Sequence, residues 1–144
     1  MSTIIRNILA FILGILLGGA VNMGIITISD FIIPLPEGVD ATSMESLINS
    51  MHLYEPKHFI MPFLAHALGT LVGAFIAALI AASRKMTIAL VIGAFFLLGG
   101  VLNILMLPSP VWFTLLDLIV AYFPMAWLGG TWAIMISKKK AANA

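Results

Sequence analysis

Followed for its apolar and polar positions, the chain separates into four long apolar runs, about 8–29, 59–82, 86–107 and 111–136, each bounded by polar or turn-forming residues. The hydrocarbon core of a bilayer is about 30 Å thick, and a helix rising about 1.5 Å per residue needs roughly 20 apolar residues to cross it. All four runs are long enough to span with some tilt. The expected fold is therefore all-α: a polytopic bundle of four transmembrane helices forming a single membrane domain over residues 1–144.

The segments between the runs carry their own signals. Pro34-Leu35-Pro36-Glu37-Gly38 is a turn in the long outer loop 30–58. After it, Thr42-Ser43-Met44-Glu45 fits a capping box, and Met44, Leu47, Ile48 and Met51 follow at helical spacing. This predicts a short amphipathic helix over about 43–53, lying on the outer surface or closing as a lid over the bundle. The connection between the third and fourth runs is only Pro108-Ser109-Pro110, with Ser109 placed to cap and Pro110 to open the last helix. Those two helices should form a tight antiparallel hairpin.

The halves of the chain resemble each other. Leu16-Leu17-Gly18-Gly19-Ala20-Val21-Asn22 returns 81 residues later as Leu97-Leu98-Gly99-Gly100-Val101-Leu102-Asn103. Pro56-Lys57-His58-Phe59 returns 54 residues later as Pro110-Val111-Trp112-Phe113, the 27-residue difference being the extra length of the first loop. A tandem duplication of a two-helix hairpin is expected, its halves related by an axis along the membrane normal.

Composition agrees with a membrane solvent. Hydrophobic residues make up 62% of the chain and charged ones 9%, against roughly 45–50% and about 25% in soluble domains. The charges are segregated. The loop 30–58 holds Asp30, Glu37, Asp40, Glu45 and Glu55 against Lys57, whereas Arg6, Arg84, Lys85 and the tail 137–144 with Lys138 to Lys140 are basic. The positive-inside rule then puts both termini in the cytoplasm of a multi-pass protein of the cell (inner) membrane. The apolar run after Arg6 exceeds the 7–15-residue core of a signal peptide, and is read as a retained helix. The absence of cysteine removes disulfides, thiolate metal sites and thiol redox chemistry.

Helices in lipid associate by close packing, and two stripes of small residues suit it. Ala10, Gly14, Gly18 and Asn22 recur at four-residue spacing in the first helix, and Ala65, Gly69, Gly73, Ala77 and Ala81 in the second. Contact between these two helices along Gly14, Gly18, Gly69 and Gly73 is expected, although the same stripe suits a homodimer or another membrane protein. Trp112, Phe113 and Trp132 read as interfacial anchors, with plain core packing as the alternative.

Polar residues within the hydrocarbon are costly and mark function more often than polar residues elsewhere. Each helix has one: Asn22, His66, Asn103 and Asp117. Counted from the helix middles, all four fall in a layer roughly 6–10 Å to the outer side of the midplane. Pro124 frees the carbonyl of Val120 one turn from Asp117. Thr70 and Tyr122 can join the same network, with His58 and Glu55 at the outer mouth beside His52. The alternative for Asn22 and Asn103 is interhelical hydrogen-bond glue, for His66 a satisfied packing residue, and for the three mouth residues plain solvation.

A His–Asp pair can shuttle protons, bind a divalent cation or grip a small polar substrate. One good nitrogen ligand and one carboxylate make a poor metal set, so no metal site is assigned; no cofactor is identified, nor any nucleic-acid surface. No catalytic residue is assigned either, since there is no cysteine and no serine near His66 in depth. In size and helix number the chain is similar to small multidrug transporters. Those carry a membrane-embedded glutamate in helix 1, where this chain has Asn22, so their mechanism does not carry over. Three functions compete: small-solute or ion binding and transport through the polar layer; a non-catalytic membrane subunit or assembly protein; and an intramembrane enzyme acting on a lipid-soluble substrate.

Overall fold

A computed structural model describes residues 2–143. Its helices are α1 (Thr3–Ile32), α2 (Met44–Ser50), α3 (Ile60–Ile80), α4 (Lys85–Met106), α5 (Val111–Val120) and α6 (Phe123–Ala142), with no strand among the described residues. Four stretches are long and apolar enough to cross a membrane: α1, α3 with the 3-10 turn Pro56–Phe59 before it, α4, and α5 with α6. The architecture is that of a multi-pass membrane bundle. Its outer faces carry side chains that only lipid suits, such as Phe31, Leu105 and Val111.

The helix limits depart from the sequence reading in four places. First, α1 begins at Thr3, where the Ser2 hydroxyl accepts from the Ile5 N–H at 3.3 Å. Its 30 residues are more than the hydrocarbon alone requires, since the helix takes in residues 3–7 before the apolar run and 30–32, with the polar Asp30, after it. Second, the loop helix is shorter than 43–53: α2 ends at Ser50 and a 3-10 turn follows over Met51–Leu53. Ser43 rather than Thr42 caps it, accepting from the Ser46 N–H at 3.1 Å, because Thr42 is held by Asp40. Third, the expected helix 111–136 is broken. The last bond before the break runs from the Ala121 N–H to the Asp117 carbonyl, and the first after it from the Ala126 N–H to the Tyr122 carbonyl. Pro124 has no N–H, and its ring clashes with a carbonyl one turn back, which ends α5 outright instead of freeing one oxygen. Fourth, α6 continues through the basic tail to Ala142.

Packing centres on α3, which touches α1, α4 and α6. Ala and Gly dominate these seams, because small side chains let backbones approach closely enough for dispersion to hold helices together in lipid. At the end of the bundle that carries the basic residues, several polar groups close off α3. The Arg6 Nε–H donates to the Ile80 carbonyl at 2.6 Å, the Asn7 side chain accepts from the Ala82 N–H at 2.9 Å, and Lys85 Nζ donates to the Ala78 carbonyl at 2.7 Å. The last carbonyls of a helix have no partner within it, and cations there also meet the negative end of its dipole. The opposite end, with residues 33–59 and 107–110, is the loop end.

Candidate functional site

At the break between α5 and α6 three side chains join. His66 Nδ1 lies 2.9 Å from both carboxylate oxygens of Asp117, and the Tyr122 hydroxyl donates to Asp117 Oδ2 at 2.9 Å. The imidazole and phenol rings stack with centroids 5.9 Å apart. Asp117 is 2% exposed and Tyr122 1%. Each position has a local cause. Asp117 opens the last intact helical turn before the break, Tyr122 occupies the break itself, and His66 faces both from α3. Gly100 of α4 admits the phenol, since a Cβ there would collide with the Tyr122 hydroxyl.

This arrangement fixes roles. The Asp117 carboxyl group holds His66 Nδ1 and so sets the ring's orientation, as second-shell carboxylates do for working histidines. Nε2 is left without a partner among the described residues. It is the nitrogen available to a ligand or a proton.

Two cavities meet at His66. The larger, 590 Å³, is bordered by Gly19 and Asn22 of α1, Gly99 and Asn103 of α4, His66 and Tyr122, with Met44 and Leu47 of α2 at the loop end. The smaller, 90 Å³, lies under Tyr54 and His58 and reaches Asp117. Leu47, Pro62 and Leu107 border both. A polar cavity needs roughly 10–15 Å³ per water by such a measure, so the smaller one has room for several.

The sequence candidates therefore separate. His66, Asp117 and Tyr122 are bonded together. Asn22 and Asn103 border the same cavity, and neither amide bonds to another described side chain. Their walls differ: Asn22 is half-buried against Gly69, whereas Asn103 is exposed. Thr70 is buried, and its Oγ1 has no hydrogen-bond partner among the described residues. Ala67 packs on Ala121 and Tyr122, and Ala74 lies against Gly129, which sets Thr70 between them, level with the first turn of α6.

At the loop end, His58 is buried, its Nδ1 accepting from the Glu55 N–H at 2.9 Å, and it borders the small cavity. Glu55 does not reach the cluster. It is exposed and paired with Lys57 at 3.0 Å, and that ammonium holds its carboxyl below the usual carboxylate range. His52 is also outside, bonded to the Asn49 carbonyl. Phe113 is no interfacial anchor: it is buried against Phe59, ring centroids 4.8 Å apart, while Trp112 and Trp132 remain exposed. Ser109 pairs with the Thr114 hydroxyl at 2.9 Å rather than capping the backbone.

No family model, curated protein or solved structure matches the chain. Its chemistry is read from its own geometry. Among the described residues no three His, Asp or Glu side chains cluster as metal ligands. What the site offers is a hydrogen-bonded acid, imidazole and phenol beside a cavity, together with free backbone at a broken helix. Gly19 and Gly99 were not singled out as cavity residues from sequence, although both belong to the repeated Leu-Leu-Gly-Gly segments.

Proposed function

We propose that this protein binds a small solute in the cavity at His66 and moves it across the membrane, with a proton exchanged at the His66–Asp117 pair. The observation that carries the reading is the Tyr122–Asp117–His66 chain of hydrogen bonds beside a 590 Å³ cavity in an otherwise apolar bundle. A histidine can take up and release a proton at one ring nitrogen while a buried carboxyl partner holds the other. The small cavity under His58 lies between the loop end and Asp117, where a proton would have to enter.

The broken helix supports the same reading. Discontinuous membrane helices leave backbone groups free, and such backbone is tolerated where protein or a cavity surrounds it. The proposed setting is the cell (inner) membrane with the basic end and both termini cytoplasmic, so that the cavity lies in the outer half. A tandem duplication would account for the Gly-Gly…Asn segments facing each other across the cavity from α1 and α4.

Native mass spectrometry of the intact protein tests the function, wild type beside Asp117→Asn and His66→Ala. A stoichiometric small-molecule adduct that both substitutions abolish is the expected result. Bare protein in all three spectra, with no pH-dependent solute uptake in proteoliposomes, would count against a transport site.

A further inference from the structure

The cavity has an entrance that its polar residues alone do not explain. α1 and α4 meet in the basic half, where Phe11 and Phe95 sit edge to face at 6.1 Å and the tip of Ile92 fills the space at Gly14. Past Phe96 they part. A Cβ added at Gly19 or at Gly99 would meet no atom within 4 Å. Met23 borders the cavity and is 63% exposed, and Asn103 borders it and is exposed as well. Residues that face lipid and the cavity at once mark a sideways opening. At the loop end the cavity is bordered by Met44, itself 43% exposed, and by half-buried Leu47.

The chemistry inside narrows the occupant. The polar groups on the cavity wall are two amides, a phenol and one imidazole, and no Asp, Glu, Lys or Arg is among them. Both oxygens of Asp117 are taken. A charged headgroup would find no countercharge and would lose its hydration. Two unpartnered amides and a free Nε2, however, leave donors and acceptors unsatisfied at membrane depth, which costs several kcal/mol for each such group in hydrocarbon. The rest of the wall is apolar, Phe96 and Ile26 included. A volume of 590 Å³ falls in the range of small-molecule sites, about 300–1,000 Å³.

We infer that the ligand is an uncharged amphiphile, with a hydroxyl, carbonyl or amide at one end, that enters from the lipid between α1 and α4. Its polar end meets Asn22, Asn103 and His66 Nε2, and its apolar body lies along Phe96. This rests on the reading of the cavity as a binding site given above, and deepens it to a class of ligand and a route.

The test uses the full chain in phosphatidylcholine liposomes with a long-chain alcohol bearing a diazirine, an uncharged amphiphile. After irradiation, adducts are mapped by peptide mass spectrometry. The expected result is severalfold more labelling on cavity residues of α1 and α4 than on Ile119 or Leu105, which face lipid only. Gly99→Leu, and independently Gly19→Leu, should erase the excess, because each starts from a Cβ in open space on the cavity wall and its side chain takes up cavity volume. Even labelling over cavity and outer faces, or an excess that survives both substitutions in folded protein, would overturn the proposal. If labelling is even while a native adduct is still lost in Asp117→Asn, the binding site stands and lipid entry falls. If both signals are missing, the binding site itself falls.

Discussion

Gly18 and Gly19 are neighbours in α1, yet they belong to opposite kinds of surface. A Cβ on Gly18 would come within 2.6 Å of the Gly69 carbonyl oxygen, whereas one on Gly19 would meet nothing within 4 Å. The 100° step between consecutive helical residues turns the first toward α3 and the second toward α4. Gly14 and Gly73 continue the first surface: a Cβ on either would come within 2.8 Å or 2.7 Å of the other's carbonyl oxygen. Gly99 continues the second from the facing wall. Small residues thus do two jobs in this bundle. Along α1–α3 they let backbones touch. Between α1 and α4 they keep space open beside the polar cluster.

The largest effect should come from filling the seam. At Gly18 or Gly69 the obstacle is backbone, which cannot rotate away. Overpacking a tight site costs typically about 1–3 kcal/mol and sometimes more, and leucine adds far more bulk than a methyl. Gly18→Leu and Gly69→Leu should each lower unfolding stability in detergent by at least that amount, and alanine by less. Gly18→Leu as stable as Gly19→Leu would erase the contrast between the two surfaces.

Next in size are changes to the cluster beside the gap. Asp117→Asn keeps one acceptor but puts an amide N–H₂ where a donor now points, which leaves His66 or Tyr122 unpaired unless the imidazole changes tautomer so that Nδ1 accepts. An unsatisfied buried group costs about 1–3 kcal/mol. Gly100→Ala should displace the Tyr122 hydroxyl from Asp117 and have a similar cost, although it touches neither His66 nor Asp117. Tyrosine hydroxyl and imidazole resonances would report the broken bonds. An unchanged Tyr122 signal in Gly100→Ala would mean that α4 yields instead of the phenol.

Four membrane-length helices were legible because apolar length is a direct physical requirement of the bilayer. The coincidence of His66 with Asp117 could be reasoned only through depth, since a polar group in hydrocarbon must find company. What depth could not supply was rotation about each helix axis. Asn22 and Asn103 share a cavity without bonding, and Thr70 carries no bond to the cluster, because side-chain direction depends on which face each neighbour takes. The break at Ala121–Tyr122 was half visible. Pro124 signals one freed carbonyl, but that its ring ends α5 outright, with no bond between those of Ala121 and Ala126, shows only in the structure. The two roles of glycine were invisible, since contact and open space are written with the same residue.

Smaller effects sharpen the contrast from the open side. Glycine inside a helix costs roughly 0.5–1 kcal/mol relative to alanine. Gly19→Ala and Gly99→Ala should therefore be neutral or stabilising by up to about 1 kcal/mol, with the cavity narrowed. Thr70→Val removes a buried hydroxyl that has no partner, and should also be neutral or stabilising by about 1 kcal/mol. A clear loss of stability in Thr70→Val would show that this hydroxyl is bonded in the membrane, through water or ligand.

The smallest effect expected is at the loop end, and it tests whether the gap is insulated from the aqueous mouth. Lys57, by hydrogen bond and then by charge, holds the Glu55 carboxyl below its ordinary range. A depressed folded value means that any stabilisation is present above the unfolded midpoint and fades as pH falls through the folded one. Both side chains are largely exposed, 57% and 63%, and exposed pairs are screened by water and salt. Lys57→Ala should raise the Glu55 midpoint in a carboxyl-resolved NMR titration while leaving unfolding stability and any cavity-bound adduct unchanged. If the adduct weakens instead, the collar of Leu47, Pro62 and Leu107 transmits changes from the mouth to His66, and the open side of α1 answers to the loop end as well as to lipid.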